Sequence, residues 1–383
     1  MAKIFYSLSG EGRGHATRVR AVVEGLRERH DVTLFAYGDA YRLLKEAYGP
    51  GGIRVCPIRG MRFRYGEGRL DYLRTGWAGL RFLSGRLGKL VGHLEARIRR
   101  EKPDLCITDF EPALPRAAAR CGVPFVSLDH QHFLVVSDLS ELPLRLRALA
   151  GLMGLVVRAY APGPAKTIVS SFYSPPLRRP YRGGTAQVGV LLRPEVLRAR
   201  PRRAGHLTAY FRRPVPGAVL QTLARCPLPV HVYGLGQRPP WGAVHFFPVS
   251  VEGFLGDLAS AEALICTAGN QLVGEALYLQ KPVLALPEPG NVEQAINARF
   301  LKISGGGEWS EAEDFDLPRL EDFLASLERL RRAIVPERVA GNAAALEALS
   351  SFLDQMPEED PSQAAGPGPR SVPGKTVETS PLG

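Results

Sequence analysis

The chain has 383 residues, 45% of them hydrophobic, and a formal net charge of +11. Its length suits two domains of ordinary size, and its charge favours anionic partners: phosphates, an acidic membrane surface or nucleic acid. Cys56, Cys106, Cys121, Cys226 and Cys266 are scattered without a CxxC pair, which argues against a disulfide framework and for reduced thiols in a cytoplasmic protein. The most apolar stretch, Ala148–Val157, falls far short of the ~20 residues that span a bilayer, and MAKIFYSLSGEGRGH lacks the apolar run of a signal peptide.

In chain order, Lys3–Leu8 reads as a strand. Ala16–Arg29 follows with Val19, Val22, Val23 and Leu26 at helical spacing. Asp31–Ala36 and Ile53–Pro57 are strands, and Arg69–Arg100 is a long basic helix. Pro103–Thr108, Pro124–Leu128 and Thr167–Ser171 are further strands, with a helix over Ala113–Arg120. Strands alternating with helices predict a parallel sheet covered on both faces. Ser174–Gly184 is rich in Pro, Arg and Gly and reads as a loop. The pattern restarts with strands at Leu207–Phe211, Val230–Tyr233, Val244–Phe247, Ala263–Cys266 and Val283–Leu286. Helices are expected over Gly253–Ser260, Gln271–Leu279, Val292–Ile303, Pro318–Arg332 and Glu337–Leu353. The expectation is α/β: two Rossmann-like, doubly wound domains facing across a cleft, over residues 1–187 and 205–355. Residues 188–204 form the connector, and 356–383, without apolar periodicity, a disordered tail.

The first strand runs into SGEGRGHATR. Gly10, Gly12 and Gly14 allow a tight turn and close approach to a ligand, and the helix that follows offers free N–H groups to an anion. A G-x-G-x-G is also what an ordinary βα turn needs, and it matches neither the dinucleotide fingerprint nor a P-loop. His15 stands at the carboxyl end of the first parallel strand, where open α/β sheets bind ligands, and suits a general base. Asp109, at the carboxyl end of another strand, could hold its ring, or else cap the next helix. Glu111 is a weaker candidate, read as first-turn helix charge. His130 and His132 end a third strand. Without a further ligand cluster they read as lining of an acceptor cleft, not a metal site.

The strongest signal is ICTAGNQLVGEALYLQKPVLALPEPGNVEQAINARF. A strand ends at Cys266, the chain turns at Gly269, and a helix opens near Asn270 with its N-terminus free for a diphosphate. Glu275 lies on that helix within reach of ribose hydroxyls, and Glu293, Gln294 and Asn297 open the next one. Polar groups thus gather at successive βα ends.

The pattern G-x5-E, then K-P-x-L, then E-Q-x-x-N-A resembles the donor half of UDP-sugar glycosyltransferases, namely the UDP-glucuronosyltransferase superfamily and the family that contains the lipid II N-acetylglucosaminyltransferase. The likeness covers most of residues 1–305 and is greatest to small prokaryotic members. It implies the GT-B architecture and a nucleotide-sugar donor. No carboxylate pair of the second half is placed to carry a divalent ion, so no metal is expected, and no cofactor. The likeness also implies that Thr267, Gly269, Asn270 and Gln271 face the diphosphate. Glu275 would hold the ribose, Glu293 and Gln294 the sugar, with His15 as base and Asp109 as its partner. The H-C-G-W-N-S box of plant members is absent: Thr267 replaces its His and Asn270 its Trp.

Between Arg54 and Arg100 arginines interleave with aromatics, such as Arg62, Phe63, Tyr72 and Trp77. A solvated arginine-rich helix face explains this best, a basic face on anionic lipid next, and nucleic acid least. Leu142–Tyr160 favours a lipid-linked or membrane-proximal acceptor, hence a protein peripheral on the inner face of the plasma membrane. Two alternatives share the donor signature: a nucleotide-sugar 2-epimerase and a non-catalytic nucleotide-sugar or glycan-binding protein.

Overall fold

The structure, a computed structural model, describes residues 1–10, 13–49, 52–60, 65–66, 69–70 and 85–356. Gly12, the centre of the arginine–aromatic segment and the expected tail from 357 onward lie outside the described residues.

The first half contains β1 (Lys3–Leu8), α1 (Arg13–Leu26), β2 (Asp31–Ala36), α2 (Gly38–Tyr48), β3 (Arg54–Pro57), a short hairpin of β4 (Tyr65–Gly66) and β5 (Arg69–Leu70), and α3 (Leu87–Glu101). It continues with β6 (Leu105–Asp109), α4 (Ala113–Arg120), β7 (Phe125–Asp129), α5 (Phe133–Val136), α6 (Leu144–Tyr160), β8 (Lys166–Ser170) and β9 (Thr185–Val188). The second half contains α7 (Pro194–Arg198), β10 (Leu207–Tyr210), α8 (Gly217–Ala224), β11 (Val230–Tyr233), β12 (Val244–Phe247), α9 (Val251–Ser260), β13 (Ala263–Cys266) and α10 (Asn270–Tyr278). There follow β14 (Val283–Ala285), α11 (Val292–Ile303), β15 (Gly307–Trp309), α12 (Leu317–Ala333), α13 (Pro336–Val339) and α14 (Asn342–Asp354).

Seven strands form one parallel sheet in the order β3-β2-β1-β6-β7-β8-β9, and six form another in the order β12-β11-β10-β13-β14-β15. β1, β6 and β7 are buried throughout, apart from half-buried Lys3, because helices cover both faces. Each sheet is doubly wound. The chain moves outward from β1 to β3 and then returns to the other side of β1 with β6, and it does the same from β10 to β12 before returning with β13. The gaps above β1/β6 and β10/β13 are therefore topological switch points, the places where such sheets bind ligands.

Several expectations need correction. Arg69–Leu70 pairs with Tyr65–Gly66 as a strand, and the described helix of the basic segment begins at Leu87. The connector contains a short helix, and its first residue, Val188, ends the edge strand β9. The last helix does not belong with the second half. Ala345 and Leu349 of α14 are buried among Ile4, Val19, Val23 and Val188 of the first-half core. Leu346 of the same helix packs closely over Gly25, where a Cβ would lie 2.4 Å from Leu346 Cδ1. On its way back the chain lies against the connector. Val190 N donates to Val339 O (2.7 Å), Gly341 N to Val190 O (2.9 Å), and the Asn342 amide grips both N and O of Leu192 (2.8 Å each). Two chain crossings thus join the halves.

Candidate active site

β1 and β6 pair in parallel with Leu8 opposite Asp109, so the side chain after β1 and the last side chain of β6 emerge at the same edge. His15 lies in the first turn of α1, and Arg18 one turn on, on the same face. The Asp109 carboxylate is fully buried. Arg18 donates to it twice, Nε to Oδ2 at 2.9 Å and an η nitrogen to Oδ1 at 2.6 Å. His15 Nδ1 lies 2.9 Å from Asp109 Oδ1 and 3.0 Å from the same Arg18 nitrogen. Burial opposes the charge on Arg18, but Asp109 outweighs it and keeps the guanidinium protonated. When His15 Nδ1–H donates to the carboxylate, Nε2 is left with a lone pair facing the cleft. The cap role considered for Asp109 belongs instead to Glu111, whose oxygens accept from Ala113 N (2.8 Å) and Leu114 N (2.9 Å). Burial raises the Glu111 carboxyl above its usual range, against those two N–H groups.

Phe110, directly after Asp109, has φ +55°, a left-handed conformation that costs a bulky residue free energy and gathers at functional sites. Its ring lies parallel to His15 at 6.5 Å and stacks on Tyr160 at 4.6 Å. Gly10 is needed for packing: a Cβ would fall 2.3 Å from Tyr37.

His130 and His132 have different surroundings. His130 borders the cleft but is buried, its Nδ1 3.2 Å from Ser170 O and its Nε2 3.2 Å from Asn297 Oδ1 of the other half. Burial lowers its pKa. His132 does not line the cleft, contrary to expectation. Its ring turns inward onto Asp129 Oδ2 (2.7 Å) and Ser127 Oγ (3.1 Å). Burial opposes ionisation of Asp129, but the His132 ring, the Ser127 hydroxyl and the His132 amide outweigh it and hold the carboxyl well below its usual range.

In the second half β13 ends at Cys266, whose thiol burial pushes up to about 12. Gly269 precedes α10 and has no side chain to cap the helix, so the first-turn N–H groups remain for a ligand. Gly14 on α1 and Gln271 on α10 lie opposite each other, with a Cβ on Gly14 3.8 Å from Gln271 Cβ. Two helix N-termini therefore meet across a cleft of about 540 Å³ whose walls include His15, Arg18, Thr267, Gly269, Glu293 and Gln294.

Several side chains expected to hold the donor already have partners. The Asn270 amide bridges the halves, donating to Ser170 O (3.2 Å) and accepting from Ser171 Oγ and Phe172 N (3.3 Å each), which leaves its backbone to face the cleft. Glu275 accepts from Arg193 of the connector at 3.2 and 3.0 Å and from Gln271 Nε2 at 3.3 Å. Gln271 also donates to Leu191 O (2.9 Å), while its Oε1 is buried with no protein partner. Glu293 accepts from Gln131 of the first half (3.2 Å), and Gln294 Oε1 from Glu288 N (2.7 Å). Arg18, Gln131 and Arg193 were not anticipated; the i, i+3 spacing of Arg18 from His15 was the available clue. Among the described residues, His206, His231 and Asp257 have metal-competent atoms within 4.8 Å of one another. The two rings stack at 4.3 Å, and His231 Nδ1 is spent on Asp257 Oδ2 at 2.8 Å.

The model of a family described as Glycosyl transferase family 1 matches residues 2–328. The chain belongs to this family. It is a glycosyltransferase with the GT-B fold. It is 32% identical over 157 residues to the UDP-N-acetylglucosamine--N-acetylmuramyl-(pentapeptide) pyrophosphoryl-undecaprenol N-acetylglucosamine transferase of Azoarcus sp. (strain BH72), a stretch covering 37% of this chain and 44% of that protein. Solved structures share the fold at low identity. The glycotransferase of kitacinnamycin superposes with TM-score 0.64 at 16% identity, over 91% of this chain and 98% of that one. MurG of Acinetobacter baumannii gives 0.60 at 15%, over 93% and 100%. LpCGTa, solved in complex with UDP, gives 0.64 at 18%, over 92% and 99%.

Proposed function

We propose that this family member moves a sugar from a UDP-sugar onto a hydroxyl of a lipid-linked acceptor at the inner face of the plasma membrane, by direct displacement and without a metal. The observation that carries this reading is the His15–Asp109–Arg18 cluster placed opposite the uncapped N-terminus of α10. The donor diphosphate lies at Gly269–Gln271, where the helix dipole and free N–H groups stabilise the charge that grows as it departs. Glu275, held by Arg193, accepts from the ribose hydroxyls, and Glu293 and Gln294 border the sugar. His15 Nε2 takes the acceptor proton while the acceptor oxygen bonds to the anomeric carbon. The bond from that carbon to the diphosphate breaks on the opposite side, with inversion. Asp109 stabilises the imidazolium, which then returns its proton to solvent.

The UDP preference is supported by the names of the Azoarcus relative and of the UDP complex, and the lipid-linked acceptor by the former. Family membership favours transfer over 2-epimerisation or binding alone. Incubation with UDP-sugars tests the reading: slow donor hydrolysis without acceptor supports it, and epimerisation without acceptor overturns it. EDTA should leave turnover unchanged, whereas loss of turnover restored by Mg²⁺ or Mn²⁺ would remove the metal-free mechanism.

A further inference from the structure

The turn that opens α10 is strained. Ala268, between Thr267 and Gly269, is fully buried and has φ +63°. Holding a residue with a Cβ in the left-handed region costs free energy, and it persists only where the surroundings fix it. Here the carbonyl is gripped. Asn297 Nδ2, from α11, donates to Ala268 O at 3.0 Å. That bond settles which end of the Asn297 amide is which, so its Oδ1 faces away from the turn and accepts. Both partners of Oδ1 come from the first half of the chain: Tyr173 OH donates at 2.8 Å, and His130 Nε2 lies at 3.2 Å. On the other side of the turn, the Asn270 side chain is held by Ser170 O, Ser171 Oγ and Phe172 N, which lead up to Tyr173. His130 Nδ1 lies 3.2 Å from the same Ser170 carbonyl. His130, Tyr173, Asn270 and Asn297 are all more than nine-tenths buried.

We infer that His130 and Tyr173 are positioning residues for donor binding, which act through Asn297 on the Ala268 turn. The peptide between Ala268 and Gly269 is planar and trans, so its C=O and N–H point in opposite directions. With the Ala268 carbonyl held by Asn297, the Gly269 N–H is aimed the other way, and Gly269 lines the cleft. A buried polar network whose members all have partners fixes what it joins. Here it joins the ends of β7 and β8 in the first half to the start of α10 in the second. The first half therefore shapes the diphosphate site without supplying a ligand to it. The inference rests on the reading that the diphosphate lies at Gly269–Gln271, and adds which residues hold that place in shape.

The test is calorimetry with UDP and with uridine, which lacks the diphosphate, on variants whose melting curves show a folded protein. An amide can replace either ring nitrogen of a histidine: glutamine reaches as far as Nε2, asparagine only as far as Nδ1. His130→Gln thus keeps the bond to Asn297, and His130→Asn keeps only the one to Ser170. Each loses one buried bond, so a merely structural role predicts equal damage. The inference predicts that His130→Gln prefers UDP over uridine as wild type does, while His130→Asn loses about tenfold of that preference, the worth of one hydrogen bond. Uridine affinity should be the same in both. Tyr173→Phe deletes only the hydroxyl and should lose about threefold to tenfold of the preference, which decides the matter if a histidine variant does not fold. A wild-type preference in His130→Asn or in Tyr173→Phe overturns the inference, and so does an equal loss in His130→Asn and His130→Gln. A wild type that binds uridine as tightly as UDP removes the diphosphate reading itself, and the inference with it.

Discussion

The two switch points have the same topology and opposite chemistry. Above β1/β6 the site is made of side chains: a buried carboxylate, a guanidinium and an imidazole joined by bonds of 2.6–3.0 Å. Above β10/β13 the chief resource is backbone, the free N–H groups of α10: the side chain of Asn270 already holds Ser170, and Glu275, fixed by Arg193, keeps only its remaining lone pairs for a ligand. Charged side chains fixed on one another suit proton transfer, where geometry and protonation must be set beforehand. A helix N-terminus suits a diphosphate, which needs several donors and no proton. On the proposed reading, one fold used twice separates chemistry from donor binding, and substitutions on the two sides should fail differently.

The largest expected effect is on the first side. His15→Ala should lose about 10²–10⁴-fold in turnover, as expected for removing a general base, and Asp109→Asn no more than that. Steady-state rates on variants with wild-type melting curves check this; a folded His15→Ala enzyme at full speed would place the base elsewhere. Arg18→Met should act mainly on stability. It leaves the buried Asp109 without its cation, which typically costs about 3–5 kcal/mol, so urea unfolding should show a lower midpoint. An unchanged midpoint would mean that the ion pair contributes nothing. On the second side, Glu275→Ala should weaken UDP binding by about 1–3 kcal/mol, because ribose hydroxyls and Arg193 lose their acceptor. Arg193→Ala should weaken it in the same direction, through Glu275.

The smallest effect is in acid. Asp129 has a depressed folded pKa, so the unfolded chain takes up its proton first as the pH falls. Its contribution to stability is present above about pH 4, near the unfolded value, and is lost on acidification below that. His132→Phe removes the main partner, so its unfolding curves should vary less with pH on the acid side. Curves parallel to wild type would show that the pair is not the source.

Much of the fold was legible because parallel strands buried on both faces are continuous apolar runs, and those runs located the central strands to within a residue or two. The missed strands β9 and β15 lie at sheet edges, short and partly polar (TAQV and GEW). The return of α14 was not legible at all. An apolar stripe announces a helix that needs a sheet, but not which sheet. His15 and Asp109 could be brought together on paper because strand ends converge. Arg18 is harder to place despite its i, i+3 spacing from His15, since an arginine in a first helix ordinarily faces water. Asn270 has a second use that the sequence does not show: its amide side chain fastens the two halves together, while the residue borders the cleft.

The separation of roles is tested most directly by titrating UDP by calorimetry into wild type, His15→Ala and Glu275→Ala, each with its folding verified. The account predicts that His15→Ala binds UDP as wild type does while Glu275→Ala binds about five- to a hundredfold more weakly, the equivalent of ~1–3 kcal/mol. Weakened binding in His15→Ala with unchanged binding in Glu275→Ala would contradict it and move the donor to the first half of the chain.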